Sequence, residues 1–365
     1  MPRRTATMLA STLMLIALLC AGVLIKVPYA EMSPGPTVNT LGTHDGEPVL
    51  DIGKGPRQYK TSGHLNMTTV RVTGADYRMN LIEAAWGWMR HDSLVVPHET
   101  LYPDDKSAKE VDQENAEEFS ASQESAKVAA LRELDVPFRS YTIVGSVEKG
   151  SPAQGKLHAG DVITAVDGQK VTKDPLRVGE LVTEHKPGEK VTFTVIPAAK
   201  ATKAKEAGKK FPGDRREVTV TTKKAQEDGR AIVGIQPTAG HTFPFQVDIK
   251  LADVGGPSAG LMFALGIVDK LTKDDLTGGK FVAGTGTIDD AGKVGEIGGI
   301  QMKTVAARAQ GAEYFLTPKG NCPTAAKDKP DGLTLVKTGT MDDAMDALKK
   351  IRTGHADSLP TCKGN

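Results

Sequence analysis

Two residues of this 365-residue chain have the type and setting to do chemistry together. Ser258 stands in Asp253-Val254-Gly255-Gly256-Pro257-Ser258-Ala259-Gly260-Leu261. The glycines open backbone conformations closed to other residues. Pro257 has the preset φ and missing N–H that suit a first helical position. Leu261, Leu265 and Val268 follow at helical spacing. Ser258 is therefore expected in the first helical turn, where free amides and the positive end of the dipole point outward. Those are the parts that stabilise negative charge on a substrate oxygen, and the amides around Gly256, Pro257 and Ser258 are expected to bind that oxyanion. A serine that only caps a buried helix has the same surroundings.

Lys303 is the second residue. Ile300, Lys303 and Ala307 share one face of a helix expected over 300–310, and Gln301, Thr304 and Arg308 share a polar face. A lysine on the apolar side either snorkels or has its pKa lowered by burial from about 10.4 toward neutrality. A neutral amine could take the proton of a serine hydroxyl, which is a poor nucleophile until a base does so. No Gly-x-Ser-x-Gly elbow surrounds Ser258, and His241 is the histidine nearest it in sequence, so a Ser–His–Asp triad has little support. Apart from Cys20 in an apolar run, two cysteines and scattered histidines give no metal-ligand spacing, and no cofactor is expected.

The elements that must position these residues follow from periodicity and breakers. Residues 31–54, rich in Pro, Gly, Thr and Asn, read as a tether, and 59–73 as a strand pair. Residues 80–92, with Trp86, Trp88 and Met89, read as a short amphipathic helix. Residues 104–134 begin acidic and turn helical; from Asp104 to Glu124 eight acids face two bases, which implies a solvated face. Residues 198–216 carry seven bases and two acids and read as an exposed hairpin tip. From 231 to 352 strands and helices alternate. Strand-like Phe245–Ile249 leads to the Ser258 helix, Phe281–Ile288 and Tyr314–Leu316 are strand-like, and Thr340 and Asp343 form the capping box of a last amphipathic helix.

Charge is nearly balanced, 46 Lys+Arg against 45 Asp+Glu, and aromatic residues make up 5%, so nothing argues for nucleic acid. Arg3 and Arg4 precede an uncharged run from Thr5 to Ile25, closed by Lys26. That is long enough to span a bilayer with the N-terminus cytoplasmic. A cleaved signal peptide is the competing reading. It is weakened by the length of the run and by Pro28 in the candidate cleavage end Pro28-Tyr29-Ala30. Cys20 lies in the run. Cys322 and Cys362 would face an oxidising exterior, where a disulfide between them would tie the tail to the last domain; two free thiols are the alternative.

Two resemblances follow from these motifs. Residues 136–222 carry Tyr141-Thr142-Ile143-Val144-Gly145, then Gly150-Ser151-Pro152-Ala153, Ala159-Gly160-Asp161-Val162-Ile163 and Val166-Asp167-Gly168, with a helix near 175–184. The set resembles a PDZ domain of the bacterial protease-associated kind, which implies capture of an extended peptide as an added strand. Its groove is expected between Tyr141, Thr142, Ile143 and Val144 and the helix bearing Val178, Leu181 and Val182. No Gly-Leu-Gly-Phe-type carboxylate loop is evident. Gly255-Gly256-Pro257-Ser258-Ala259-Gly260, Gly284-Thr285-Gly286-Thr287-Ile288 and the stretch from Gly292 to Lys303 look like the proteolytic domain of Lon-type proteases, over about 231–352 and in the family's order. The resemblance makes Ser258 the nucleophile, Lys303 the general base, and Thr285 the threonine near that lysine. Many Lon enzymes have Lys-Asp before Gly-Pro-Ser; here Val254-Gly255 stand there, and Asp253 is the nearest acid. No Gly-x4-Gly-Lys-[Ser/Thr] phosphate loop is present, since Gly286 to Gly292-Lys293 has the wrong spacing.

The whole layout, with Ser122-Gln123-x-x-Ala126 before the PDZ module, is similar to the membrane-bound, ATP-independent PDZ–Lon proteases of Gram-positive bacteria. The expected architecture is α+β. It has an N-terminal transmembrane helix (1–30) and a tether with the first protease elements (31–135). An inserted PDZ β-barrel-like domain (136–222), the Lon-like α/β catalytic domain (223–352) and a tail (353–365) follow. The expected function is an extracytoplasmic serine endopeptidase, single-pass in a bacterial cell membrane, acting on protein or peptide substrates without ATP. A homo-oligomer, hexameric by resemblance, is implied. The alternative is a tethered PDZ adaptor with a silent Lon-like half; an esterase ranks last.

Overall fold

The computed structural model of the chain describes residues 3–363 except 91, 104, 172, 207–209 and 252–253. Asp253, Asp104 and Lys209 thus lie outside the described residues. Two compact units emerge: 1–135 together with 247–365, and 136–246.

The first unit begins with α1 (Arg3–Leu24), exposed along almost all its length. Its Thr7–Leu24 portion is long and apolar enough to cross a membrane. Next comes a strand, Tyr29–Asn39, where a tether was expected. Ala30, Met32 and Val38 alternate into the core, and the two prolines are accommodated at an irregularity between Pro34 and Thr37. Leu50–Ile52 is also a buried strand, paired with Val247–Ile249. The expected strand pair over 59–73 is one strand, His64–Val72. α2 (Leu81–Met89) opens on an Asn80/Glu83 capping box. α3 (Ala108–Glu133) opens on Ser107/Glu110.

The second unit holds a five-strand path in the order Arg216–Thr221, Lys190–Ile196, Val162–Val166, Arg139–Val147, Ile235–Thr242. α4 (Leu176–Thr183) covers a core that includes Val144, Leu157, Ile163, Val178, Leu181 and Phe193. The expected end of this domain at 222 is too early. Ile235–Thr242 pairs with Arg139–Val147 along its whole length, which binds residues 223–246 to this unit rather than to the first one. The Lys-rich stretch is not a hairpin tip either. It starts as α5 (Ala198–Glu206), anchored by Ala201 against Val162 and Ile196, with Phe211 edge-on to Tyr141.

The chain then returns to the first unit with α6 (Gly260–Leu271), α7 (Ile300–Ala309), α8 (Cys322–Lys327) and α9 (Met341–Arg352). Their strands complete a six-strand sheet in the order Thr334–Thr338, Tyr314–Pro318, Phe281–Gly284, His64–Val72, Tyr29–Asn39, Leu94–Pro97. The first four are parallel and the last two pair antiparallel. α6 is buried along nearly all its length, and α3 packs on it with Phe119 edge-on to Phe263.

Cys322 and Cys362 are joined in a disulfide. The tail also runs along the outermost strand, with the Cys362 amide donating to Leu335 O and the Lys337 amide to Pro360 O. The bridge closes a 40-residue segment, for which loop-closure entropy gives about 4 kcal/mol. Reduction, or Cys362→Ser, is therefore expected to lower the denaturation midpoint clearly. Equal midpoints with and without reductant would remove the bridge from the stability of this unit.

Candidate active site

The Ser258 turn is held from three sides. Gly256 sits at φ 80°, a left-handed conformation that favours glycine. Its amide donates to Asn115 O on α3 at 2.9 Å. Pro257 O accepts from Ser122 Oγ of α3 at 2.8 Å. Ser258 O accepts from the Gly286 amide (2.8 Å) and from Thr285 Oγ1 (2.9 Å). The chain becomes helical only at Gly260, so Ser258 precedes α6 and is not in its first turn as expected. The Gly256 amide is engaged, and Pro257 has none, so neither donates to an oxyanion in this arrangement; both instead tie the turn to α3. Among the described residues no group accepts from the Ser258 and Ala259 amides.

Lys303 comes from α7, whose start is fixed by Gly299 at φ 67°. A side chain at Gly299 would meet Val70 and Met32 at about 3 Å, so glycine lets α7 press against the sheet. The preceding loop is gripped by Asn321, which accepts from the Ile297 amide and donates to Ile297 O. Lys303 is 2% exposed. Thr304, expected on a polar face, is fully buried, its hydroxyl turned back to Gln301 O.

The amine of Lys303 donates to Ser258 Oγ at 2.7 Å and to Thr285 Oγ1 at 3.0 Å. Burial lowers its pKa to about 7. Among the described residues no carboxylate is hydrogen-bonded to it. The position of Gly255 is explained by packing, since a Cβ there would lie 3.1 Å from Asn115 Cβ. Ser258 itself is half-buried and opens on a cleft of about 310 Å³ lined by Pro36, Thr68–Arg71, Gly255, Gly256 and Lys303. The Thr68–Val72 part of its strand pairs with the first strand on one side. On the other side pairing with Phe281–Gly284 stops at Met67, which leaves that edge open beside Ser258.

Asn115 and the Thr68–Arg71 edge were not found from sequence. Asn115 acts through its backbone carbonyl, which carries no side-chain signal. Ser122 was visible only as part of a resemblance. His241 belongs to the other unit and is buried there beside Ser140. Among the described residues no group of three or more His, Cys, Asp or Glu could hold a metal ion.

The expected peptide groove in the second unit needs correction. Arg139–Val147 is hydrogen-bonded on both edges, to Val162–Val166 over Thr142–Ile143 and to Ile235–Thr242 throughout. Tyr141, Thr142, Ile143 and Val144 therefore have no edge to offer an added strand. Val178 and Leu181 point into the core, at 1% and 2% exposed. The outer strands of the path are Arg216–Thr221 and Ile235–Thr242, and α4 packs near the second of them.

Comparison with known proteins accords with this division. Residues 131–205 match the PDZ domain model, and residues 252–350 match that of the Lon protease (S16) C-terminal proteolytic domain. A Lon protease of Roseiflexus castenholzii is 44% identical over 68 residues, which is 19% of this chain and 8% of that protein. One from Azospirillum brasilense is 33% identical over 140 residues, 36% of this chain and 17% of that protein. The chain thus spans less than a fifth of the length of these relatives. Among solved structures, the PDZ domain of an SdrC-like protein from Listeria innocua is 26% identical, over 28% of this chain and 98% of that one, with a TM-score of 0.21.

Proposed function

From a chain that carries a PDZ domain and a Lon-type proteolytic domain, we propose an ATP-independent serine endopeptidase that works through Ser258 and Lys303. The observation that carries the proposal is the 2.7 Å approach of a buried lysine amine, with its pKa brought to about 7, to a half-buried serine hydroxyl. Ser258 Oγ attacks a peptide carbonyl carbon as its proton passes to Lys303 Nζ. The tetrahedral oxyanion accepts from the Ser258 and Ala259 amides. Collapse breaks the C–N bond, and the Lys303 ammonium gives its proton to the leaving amine. Water, deprotonated by Lys303, then attacks the acyl-enzyme and Ser258 Oγ regains a proton. The open Thr68–Val72 edge supports an extended substrate strand past Ser258.

The PDZ domain would hold a second part of the same substrate along Ile235–Thr242, the strand with a free edge near α4. The helix able to cross a membrane supports an extracytoplasmic active unit, by the basic N-terminal flank. ATP independence is proposed because the chain has no phosphate-loop motif and the dyad is assembled within one unit. Homo-oligomerisation remains part of the proposal by resemblance only.

Lys303 must be neutral to act, so kcat/KM for cleavage of an unfolded protein is expected to rise with pH through about 7 and then level off. Added ATP should leave the rate unchanged. An acid limb in the carboxylate range would remove Lys303 as the base. The competing adaptor reading rests on Gly255, where related enzymes carry an acid. It requires that wild type bind peptides without cutting them, so product formation by the full chain decides between the two.

A further inference from the structure

α2 is a helix with its apolar side turned outward. Only Ala84 and Gly87 are buried, and Gly87 presses so near Val95 that a Cβ would lie 2.6 Å from its side chain. At about 100° per residue, Trp88, Leu81, Ala85, Met89, Ile82 and Trp86 form one continuous arc of about 160° on the opposite side. Trp86 is 62% exposed, Trp88 56% and Met89 76%. Nine residues with two tryptophans, a methionine, a leucine and an isoleucine exposed do not suit water.

The position of this arc says what covers it. The Leu81 amide donates to Ile25 O, the Val27 amide to Met79 O, and Lys26 bridges Asn80. Gly22, in the last turn of α1, lies so near α2 that its Cβ would be 3.0 Å from the Ile82 side chain. The start of α2 is thus locked to the end of α1, and the apolar arc runs on from the apolar helix. Lys26 lies over the Tyr77 ring at 5.9 Å, and Tyr29 meets Trp88 edge-on at 5.2 Å. Tryptophan, tyrosine and lysine at the end of a span are the residues that settle at a membrane interface.

We propose that α2 is an interfacial helix whose Trp86, Trp88 and Met89 face is immersed in the headgroup and upper acyl region of the bilayer beside α1. The inference rests on reading α1 as a membrane span. It gives the protease unit a second attachment, which restricts its rotation about the single span.

The chain's two tryptophans are both in α2, so intrinsic fluorescence reads this helix alone. The full chain would be reconstituted into phosphatidylcholine/phosphatidylglycerol vesicles with bromine placed either near the ester end or near the methyl end of the acyl chains. Flotation with the vesicles after alkaline washing checks insertion of α1. The expected result is blue-shifted emission, quenched roughly two-fold by the shallow bromines and less by the deep ones. Trp86→Ser and Trp88→Ser, each leaving one reporter, should both keep the shallow quenching. Emission open to aqueous acrylamide and unaffected by bromine, in protein that floats, overturns the proposal. Emission shielded from both quenchers also overturns it, because a protein then covers the face. Failure to float would sink the reading of α1 and this inference with it.

Discussion

Ser258→Ala and Lys303→Met are each expected to lower kcat by about 1,000-fold or more, and the double variant by no more than the worse single. The two groups act as one unit. Without Lys303 the hydroxyl has no acceptor for its proton, and without Ser258 the amine has nothing to activate. Folding should survive both changes. Ser258 is half-buried and its main-chain bonds to Gly286 and Thr285 do not use its side chain. Lys303→Met should make the unit more stable at neutral pH. The folded-state pKa of Lys303 is about 7, whereas the unfolded value is about 10.4. Between those values the unfolded chain binds more protons, so wild-type stability rises with pH across that window. Methionine removes the cost of burying the amine and should flatten the dependence. Thermal melts across pH 6–10 alongside cleavage assays check both halves. Full activity in either variant would end the dyad proposal. A lower melting temperature for Lys303→Met at pH 7 would mean that the amine stabilises the fold rather than being held against a cost.

Much of this site was readable because it depends on local periodicity. The i, i+3, i+7 spacing put Lys303 on the buried face of α7, and the run from Thr5 to Ile25 and the Thr340/Asp343 box became a helix and a cap as read. What failed was decided at long range. Tyr29–Asn39 looks like a linker because Pro34, Gly35 and Pro36 break every local pattern. It becomes a strand because His64–Val72 and Leu94–Pro97 flank it. Ile235–Thr242 carries Pro237 and Gly240, and its partner strand ends almost ninety residues earlier at Val147. Without that pairing the domain boundary falls too early and the expected groove falls on a strand whose two edges are both taken. Val178 and Leu181 were assigned to a groove because helical spacing identifies a buried face but not what buries it. The sequence has Val254-Gly255 where many Lon enzymes have Lys-Asp. In the fold, glycine there makes room for α3, and the amine meets two hydroxyls instead.

One of those hydroxyls carries the second large expectation. Thr285 is fully buried and has one proton to give. That proton goes to Ser258 O, so the oxygen faces Lys303 as an acceptor, at 3.0 Å. Thr285 is therefore proposed as a positioning residue: it takes one N–H of the amine and links the lysine to the main chain of Ser258. Thr285→Val keeps the shape and deletes the acceptor, leaving a buried N–H unsatisfied. The expected loss is about 10- to 100-fold in kcat with KM little changed, since the cleft lining is untouched. The pH profile separates positioning from mere structure. An accepted hydrogen bond favours the ammonium over the neutral amine, so its removal lowers the lysine pKa further. The acid limb of the rate should then move below pH 7 even as the plateau falls. Thr285→Ser, which restores the oxygen, should bring back both the rate and the limb. A variant that loses rate with its limb unmoved, or moved upward, would show that Thr285 supports the fold of the site and does not hold its base.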